Sequence, residues 1–163
     1  MKTLLIVWYS RTGGSRQLAE AARDGAREAG GVEVRYLAAE DAGATDLTEC
    51  DGYIFACPEN LAAIAGVMKA FFDRTYYEVL GMIEGRPYSA LICAGSDGEN
   101  AQRQLERIAT GWRLKRVADT QIVNVNAQTT EEILSDKTIA EVELAMARET
   151  GATLAAGLEM RVF

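Results

Sequence analysis

The stretch Ile6-Val7-Trp8-Tyr9-Ser10-Arg11-Thr12-Gly13-Gly14-Ser15, near the amino terminus, decides the fold of this chain. The apolar run from Leu4 to Tyr9 is too short for an ordinary helix and predicts a strand that is buried on both faces. Small and hydroxyl-bearing residues follow it and predict a tight turn. From about Ser15 to Ala29, apolar residues recur at helical spacing with charged residues between them, which predicts an amphipathic helix.

A strand, a glycine turn and the start of a helix form a favourable site for an anion. The first backbone N–H groups of a helix have no intrahelical partner, and the helix dipole is positive at that end. Ser10, Thr12 and Ser15 add hydroxyl groups, while Gly13 and Gly14 allow close approach of the backbone. A terminal phosphate ester fits this turn, because the glycine motifs for nucleoside triphosphates and for dinucleotides are both absent. The alternative is that the hydroxyl groups only cap the helix and the glycines only make the turn.

Composition limits the chemistry that the chain can perform. The 163 residues include no histidine, which excludes histidine-dependent nucleophilic catalysis and histidine-ligated metals. The three cysteines lack Cys-x-x-Cys spacing, so we expect small buried hydrophobes rather than a disulfide framework or a zinc site. A net charge of −7 without a basic cluster argues against a nucleic-acid partner. We therefore expect a small molecule or another protein as the partner, and no bound metal.

Length and hydropathy predict a single domain spanning residues 1–163, with one substantial core. No apolar run is long enough to cross a membrane, and no basic start precedes an apolar signal segment. We therefore expect no membrane insertion and a cytoplasmic location.

Strand-like and helix-like segments alternate along the rest of the chain. Short apolar runs predict strands at 32–37, 52–57, 88–94 and 120–125. Helices are expected at 62–73, at 99–110 and from Thr130 to about Leu158, the last with a break near Asp136 or Gly151. Segment 38–49 is predicted to be a surface connection, and the aromatic-rich segment 74–86 to cover the sheet edge or to form a dimer face or pocket wall. This order predicts an α/β fold with a parallel sheet covered on both faces.

Three loops follow the first, third and fourth predicted strands and meet at one edge of such a sheet. We call Ser10–Ser15 the first loop, Pro58–Ala62 the second loop and Ala94–Gly98 the third loop. Pro58 is expected to end its strand, because proline cannot continue a central strand. Ligands of open α/β sheets bind at the carboxyl edge, where the strand order reverses. The first loop suits a phosphate, and the other two suit a planar ring held between backbone groups.

The order and spacing of these segments resemble the flavodoxin-like family, and more closely its NAD(P)H-dependent FMN reductase and quinone reductase-like branch. The resemblance is carried by Tyr9–Ser15, by Pro58-Glu59-Asn60 followed by Gly66–Arg74, and by Ala94-Gly95-Ser96. It implies a flavodoxin-like three-layer sandwich with a five-stranded parallel sheet in the order 2-1-3-4-5 and with FMN across its carboxyl edge. The residues implied to bind the cofactor are Ser10, Arg11, Thr12, Gly13, Gly14 and Ser15 at the phosphate, and Pro58, Glu59, Asn60, Leu61, Ala94, Gly95, Ser96 and Asp97 at the ring.

The resemblance also implies an activity. The chain is expected to be an FMN-binding oxidoreductase that transfers hydride from NAD(P)H to a quinone, a flavin or a similar small acceptor. No side chain is expected to act as an acid or base, because hydride passes directly from nicotinamide to flavin. The alternatives are a flavodoxin-type electron carrier that docks on redox partner proteins, and a flavodoxin-like module without redox activity. A homodimer or tetramer is a further expectation, based on the aromatic-rich segment.

Some residues depart from the pattern of the branch. Cys57 stands where a polar or small residue is often found, and no aromatic residue lies near the ring in the second or third loop. The ring is therefore expected to be held by backbone groups, by residues 76–83 or by a second subunit. Glu59 and Asp97 either act on the pyrimidine edge of the flavin or serve as carboxylates at helix starts. Arg11 either pairs with the phosphate or points to solvent.

Overall fold

A computed structural model of the chain describes residues 1–163 and centres on a parallel sheet. The strands are β1 (Lys2–Trp8), β2 (Val32–Ala38), β3 (Gly52–Asn60), β4 (Ala63–Ile64), β5 (Pro87–Ala94), β6 (Lys115–Arg116) and β7 (Gln121–Asn124). The helices are α1 (Gly14–Ala29), α2 (Ala44–Glu49), α3 (Gly66–Val79), α4 (Glu99–Gly111), α5 (Thr130–Leu134) and α6 (Glu141–Met160). None of these helices has the length and apolar character needed to cross a membrane.

The strands lie in the order β2-β1-β3-β5, and the next position is shared by β6 and β7, which both pair with β5. All of these pairs are parallel, whereas β4 is antiparallel to the end of β3. The predicted order 2-1-3-4-5 is confirmed, with β5 as the fourth predicted strand and the fifth divided into two short pieces. The strand order reverses between β1 and β3, so the carboxyl ends of these strands form the expected crevice.

Burial of the strands follows their position in the sheet. Every residue of β5 is buried, as are the first six residues of β3, because helices cover both faces of these central strands. β2 has no buried residue and forms one edge of the sheet. One core cluster contains the aromatic side chains Phe55, Phe71, Phe72 and Trp112, and a second cluster lies on the opposite face beneath α1 and α6. The three-layer sandwich therefore has a core on each side of the sheet.

Helices α1 and α6 approach each other very closely on their shared face. A Cβ atom placed on Gly25 would lie 2.0 Å from the carbonyl oxygen of Arg148, and one placed on Gly151 would lie 1.8 Å from that of Ala22. Only glycine fits at these two contacts without a shift of backbone. Gly151 therefore belongs to a packing contact, and α6 runs through it without a break.

Segment 38–49 differs from the predicted surface connection, because it contains the short helix α2. Leu47 is fully buried and anchors the helix to the core. The carbonyl oxygens at its end accept hydrogen bonds from later residues: Tyr53 Oη donates to the carbonyl of Leu47 at 2.6 Å, and Arg86 Nη1 donates to those of Leu47 and Thr48. The prediction of a plain connection was wrong because Arg86, which holds this end of the helix, lies 38 residues beyond Thr48 in the chain.

The predicted bounds of two other helices change. The helix expected at 62–73 is α3, which begins at Gly66 and continues to Val79, so much of the aromatic-rich segment is the end of a helix. The predicted closing helix is divided into α5 and α6 by residues 135–140, which confirms the break near Asp136. The chain from β7 to α6 must cross the carboxyl edge of the sheet to make this connection.

Candidate functional site

The first loop presents a buried hydroxyl group at the start of α1. Gly13 is the N-cap residue of α1 and has a φ of 94°, a conformation that favours glycine. Ser15 is only 1% exposed, and its Oγ has no hydrogen-bond partner. Buried polar groups are nearly always paired, so an orphaned hydroxyl at a helix N-terminus fits an anion-binding group. The first loop therefore has the geometry expected for a phosphate.

The first loop is also held tightly against the end of β5. A Cβ atom on Gly14 would lie 2.5 Å from Sγ of Cys93, so the loop needs glycine at this position. Within the loop, Oγ of Ser10 accepts a hydrogen bond from the backbone N–H of Gly13 at 3.0 Å. The Ser10 hydroxyl keeps its own proton available for a ligand. These contacts fix the backbone of the first loop.

An outer cavity of about 450 Å³ opens beside the first loop. It is lined by Trp8, Ser10, Arg11, Thr12, Gly13, Arg16, Gln17, Asp136 and Lys137. Three of these side chains are cationic and one is anionic, so the local charge favours an anion. Arg11 is exposed and forms no ion pair, which leaves both predicted orientations of its side chain open.

The second loop is a β-hairpin rather than a loop. β3 continues through Pro58 to Asn60 and then turns back as β4, with Glu59 opposite Ile64. The prediction that Pro58 ends the strand was wrong. β1 pairs with β3 only as far as Ala56, so Pro58 lies where that ladder has already ended.

The turn of this hairpin has an unusual sequence. Leu61 and Ala62 have φ values of 51° and 61°, although turns with two positive φ angles normally contain asparagine, aspartate or glycine. The Leu61 side chain is fully exposed at the tip of the hairpin. It lines neither the outer cavity nor a smaller cavity that lies between the three loops.

The carboxylates of Glu59, in β3, and of Asp97, in the third loop, both contact the start of α4. Oε2 of Glu59 accepts a hydrogen bond from the N–H of Gly98, the N-cap residue of α4, at 2.9 Å. Oδ1 of Asp97 accepts a longer one from the N–H of Glu99 at 3.3 Å. These contacts are those of helix-start carboxylates, the second of the two predicted roles. The Glu59 contact also ties the hairpin to the third loop.

An inner cavity of about 70 Å³ lies where the three loops meet. It is lined by Arg11, Thr12, Pro58, Glu59, Asn60, Cys93, Ala94, Gly95, Val125, Ala127, Ile133 and Lys137. Seven of the residues predicted to bind a cofactor therefore surround one space, and Ser10 and Gly13 line the outer cavity. Ser96 and Asp97 are exposed, Gly14 and Ser15 are buried, and none of these four residues lines either cavity. The cofactor-binding roles of all these residues stay predictions.

The sequence analysis missed one part of this edge, the segment 128–139, which we call the strap. Its backbone N–H at Lys137 donates to the carbonyl of Thr12 at 2.8 Å. Gln17 bridges the strap and the first loop: its Nε2 donates to the carbonyls of Lys137 at 2.6 Å and Gly13 at 3.0 Å, and its Oε1 accepts from the N–H of Ile139 at 3.0 Å. The sequence predicted a helix start at Thr130 and a break near Asp136 in this segment, but neither signal places the segment across this edge.

The cysteines are free and buried, as predicted. Cys93 lines the inner cavity, and burial raises the pKa of its thiol to about 11 despite an opposing effect of Lys137. Burial likewise raises the pKa of the Cys57 thiol to about 12. Both groups are protonated thiols at neutral pH.

A model of the family described as NADPH-dependent FMN reductase matches residues 39–130. The chain belongs to this family. The matched span contains the second and third loops, whereas the first loop precedes it and the strap begins near its end. The family assignment and the anion-site geometry of the first loop are thus separate observations.

Two curated proteins of different description are similar to parts of the chain. The chain is 32% identical over 98 residues to a flavodoxin of Aquifex aeolicus, covering 60% of this chain and 53% of that protein. It is 30% identical over 95 residues to an NAD(P)H dehydrogenase (quinone) of Acidithiobacillus ferrooxidans, covering 46% and 48% respectively. The chain spans about half the length of these curated relatives. The solved structure of an archaeal flavodoxin has the same fold, with a TM-score of 0.77 and 16% identity over 96% of this chain and 99% of that one.

Proposed function

We propose that this member of the FMN reductase family binds FMN and transfers hydride from NAD(P)H to a small acceptor such as a quinone or a flavin. The observation that carries the proposal is the unpartnered Ser15 hydroxyl, buried in the first loop at the positive end of α1. Family membership and the quinone dehydrogenase relative support the reductase chemistry. FMN, when bound, would accept hydride from the nicotinamide and pass it on.

The first loop would hold the phosphate. The N–H groups of the first turn of α1 and the hydroxyl of Ser15 donate to phosphate oxygens, and the proton on Ser10 Oγ is free to do so. Arg11 and Arg16, which line the outer cavity, add positive charge. A dianionic phosphate would thus meet donors, a helix end and cations together.

The second and third loops would hold the ring. Pro58, Asn60 and Gly95 line the inner cavity. They offer backbone groups and the side-chain amide of Asn60 to the polar edge of the flavin ring. The proposal assigns no side chain as an acid or base. The residues of the site contribute orientation and exclusion of water, which are the protein's part in direct hydride transfer.

An absorption spectrum tests this function, first of the purified protein and then after addition of FMN. Anaerobic addition of NADPH and, separately, NADH follows. We expect absorption bands at about 450 nm, the usual position for an oxidised flavin. These bands should bleach when a reduced nicotinamide cofactor is added without any other reductant. Failure of the protein to bind FMN would contradict the proposal.

An electron carrier is the second candidate function. It is favoured by the similarity to a flavodoxin and by the net charge of −7, which suits docking on a basic partner. A carrier would bind FMN and accept electrons from dithionite but would oxidise NADPH and NADH negligibly. Steady-state oxidation of NADPH with a water-soluble benzoquinone as acceptor therefore distinguishes the two functions.

A further inference from the structure

The strap is exposed over most of its length. Every residue from Gln128 to Asp136 is exposed, and α5, which lies within this range, contains no buried residue. Burial of apolar surface is the main force that holds helices on a fold, and in α5 it is limited to about half of the Ile133 and Leu134 side chains. Apolar burial therefore anchors the strap only weakly.

Hydrogen bonds within the strap nevertheless keep it ordered. Thr129 and Glu132 form a capping box, in which Thr129 Oγ1 accepts from the N–H of Glu132 at 3.2 Å and Glu132 Oε2 accepts from that of Thr129 at 3.0 Å. At the other end of α5, Lys137 Nζ donates to the carbonyls of Glu132 at 2.7 Å and Ile133 at 3.0 Å. A segment ordered by its own contacts can move as a unit.

The strap is attached to the rest of the molecule at its two ends. Just before it, Ala127 donates to the carbonyl of Gly95 at 2.9 Å. At its end, Ile139 is 4% exposed, and its N–H is held by Gln17. Between these points, hydrogen bonds to other elements are made only by the backbone of Lys137, to Thr12 and Gln17. This arrangement is that of a hinged flap.

The inner cavity is too small for a flavin ring in this conformation. Pockets for ligands of that class have volumes of about 300 Å³ or more, whereas the inner cavity has about 70 Å³. Pro58, Cys93 and Gly95 belong to the sheet and its loops, while Ile133 belongs to the strap. No aromatic side chain lines the cavity, so Ile133 is a large apolar group available to cover a ring from outside.

We propose that the strap is the outer wall of the ring site, which moves outward to admit the isoalloxazine ring of FMN and then packs Ile133 against it. This inference rests on the proposed binding of FMN and adds a cofactor contact outside the three loops. It also explains why an isoleucine that is 49% exposed lies at the mouth of the inner cavity. An apolar side chain in that place gains burial when a ring is bound.

The test compares two neighbouring side chains of α5. Ile133 and Leu134 are 49% and 48% exposed, but only Ile133 lines the inner cavity, so Leu134 is a matched control. FMN and riboflavin are titrated into the cofactor-free protein, and quenching of flavin fluorescence gives the dissociation constants. Ile133→Ala should weaken binding of both by about tenfold, because both carry the ring. Leu134→Ala should leave both constants within about twofold of wild type.

A second measurement uses trypsin cleavage after Lys137, within the strap. FMN and riboflavin at saturating concentration should both slow this cleavage, because a ring packed on Ile133 holds the strap closed. Riboflavin is the deciding ligand, because it carries the ring but no phosphate, whereas phosphate can shield Lys137 directly in the outer cavity. Thermal unfolding confirms that both alanine variants fold.

The possible results separate the inference from the function on which it rests. If wild type binds FMN and the two alanine variants bind it equally well, the strap is not a wall of the ring site, while the proposed function stands. Protection of the strap by FMN but not by riboflavin would also overturn the inference, because the phosphate in the first loop would then be the cause. If wild type binds neither FMN nor riboflavin, both the function and the inference fail.

Discussion

The two ends of the candidate cofactor site lie on one edge of the sheet but are built in different ways. The first loop is fixed by folding: Ser15 is buried, and Gly14 meets the side chain of Cys93 so closely that only glycine fits. The inner cavity is closed on its outer side by the strap, whose α5 buries no residue. A rigid phosphate end can supply affinity through preorganised donors, while a movable ring end lets a large planar group reach its place.

The largest expected effect on FMN affinity comes from a negative charge placed in the first loop. Thr12→Asp should weaken FMN binding more than about a hundredfold, because a carboxylate then faces a dianionic phosphate in the same loop. Thr12→Asn, of nearly equal size but uncharged, is the control and should bind within about tenfold of wild type. Fluorescence titration measures both, and circular dichroism confirms the fold. Copurification of Thr12→Asp with stoichiometric FMN would show that the first loop does not hold the phosphate.

A second variant of the rigid end should change stability and affinity in opposite directions. Ser15→Ala removes a buried hydroxyl that has no partner, so the free energy of unfolding of the cofactor-free protein should stay equal or rise by about 1 kcal/mol. FMN affinity should fall about tenfold through the loss of a donor to a charged group. Denaturant unfolding and fluorescence titration measure the two effects.

Ser89→Ala is the control for this variant. Ser89 is fully buried in β5, and its Oγ lies 3.3 Å from the carbonyl of Ala118, far from the first loop along the strand. Its replacement should lower the free energy of unfolding and leave FMN affinity unchanged. A loss of stability in Ser15→Ala equal to that in Ser89→Ala would argue against a ligand-directed hydroxyl.

Gln17 connects the two ends, and its removal should change rates more than affinity. Gln17→Ala removes the side-chain bridge between Gly13, Lys137 and Ile139. The strap then opens more often, so the association and dissociation rates of FMN should both rise by at least about fivefold, because Gln17 makes two hydrogen bonds to the strap and each contributes about 1 kcal/mol. Stopped-flow fluorescence measures both rates. Gln102→Ala is the control, because the side-chain amide of Gln102 donates a hydrogen bond to Glu106 on α4 and not to the strap. This variant should leave both FMN rates unchanged. Identical rates in the two variants would disprove gating by the strap.

The smallest expected effect is a pH dependence of the movable end. Hydrogen bonds from the N–H groups of Gln128 and Thr129 lower the pKa of the Glu132 carboxyl. A carboxyl group with a depressed pKa in the folded state stabilises that state at pH values above its ordinary, unfolded pKa. This stabilisation is lost as the pH falls through the folded-state pKa. Lowering the pH should therefore raise the dissociation rate of FMN in both proteins, and the rise should be about twofold larger in wild type than in Glu132→Gln. The glutamine side chain of this variant keeps an acceptor for the capping box but has no charge to lose. Parallel pH profiles for the two proteins, measured by dissociation rates, would contradict this role of the capping box.

Much of the fold could be predicted from the sequence because its signals are local. The buried strands β3 and β5 contain continuous apolar runs, and the first loop contains its hydroxyl groups and glycines in one short stretch. Strand and helix alternation then leaves few topologies. The capping box at Thr129 is local as well, and it gave the start of α5.

Features that depend on distant partners could not be predicted. The hairpin turn at Leu61 and Ala62 lacks the asparagine or glycine that marks two positive φ angles, so the sequence carries no sign of it. α2 depends on Arg86, which donates hydrogen bonds to two carbonyls at its end from 39 and 38 residues along the chain. Ile133 reaches the inner cavity only through the crossing of the strap, which no periodic pattern encodes.

Cys93 lines the inner cavity, where its low reactivity would protect the protein from chemical damage during the proposed reaction. With a pKa of about 11, its sulfur is a thiolate in only about one molecule in ten thousand at neutral pH. The thiolate is the form that adds to quinones, which are among the proposed acceptors, and that reacts with peroxide, which forms when a reduced flavin meets oxygen. A sulfur kept protonated at such a site resists alkylation and oxidation, so the protein should survive many turnovers without losing the residue against which its first loop is packed.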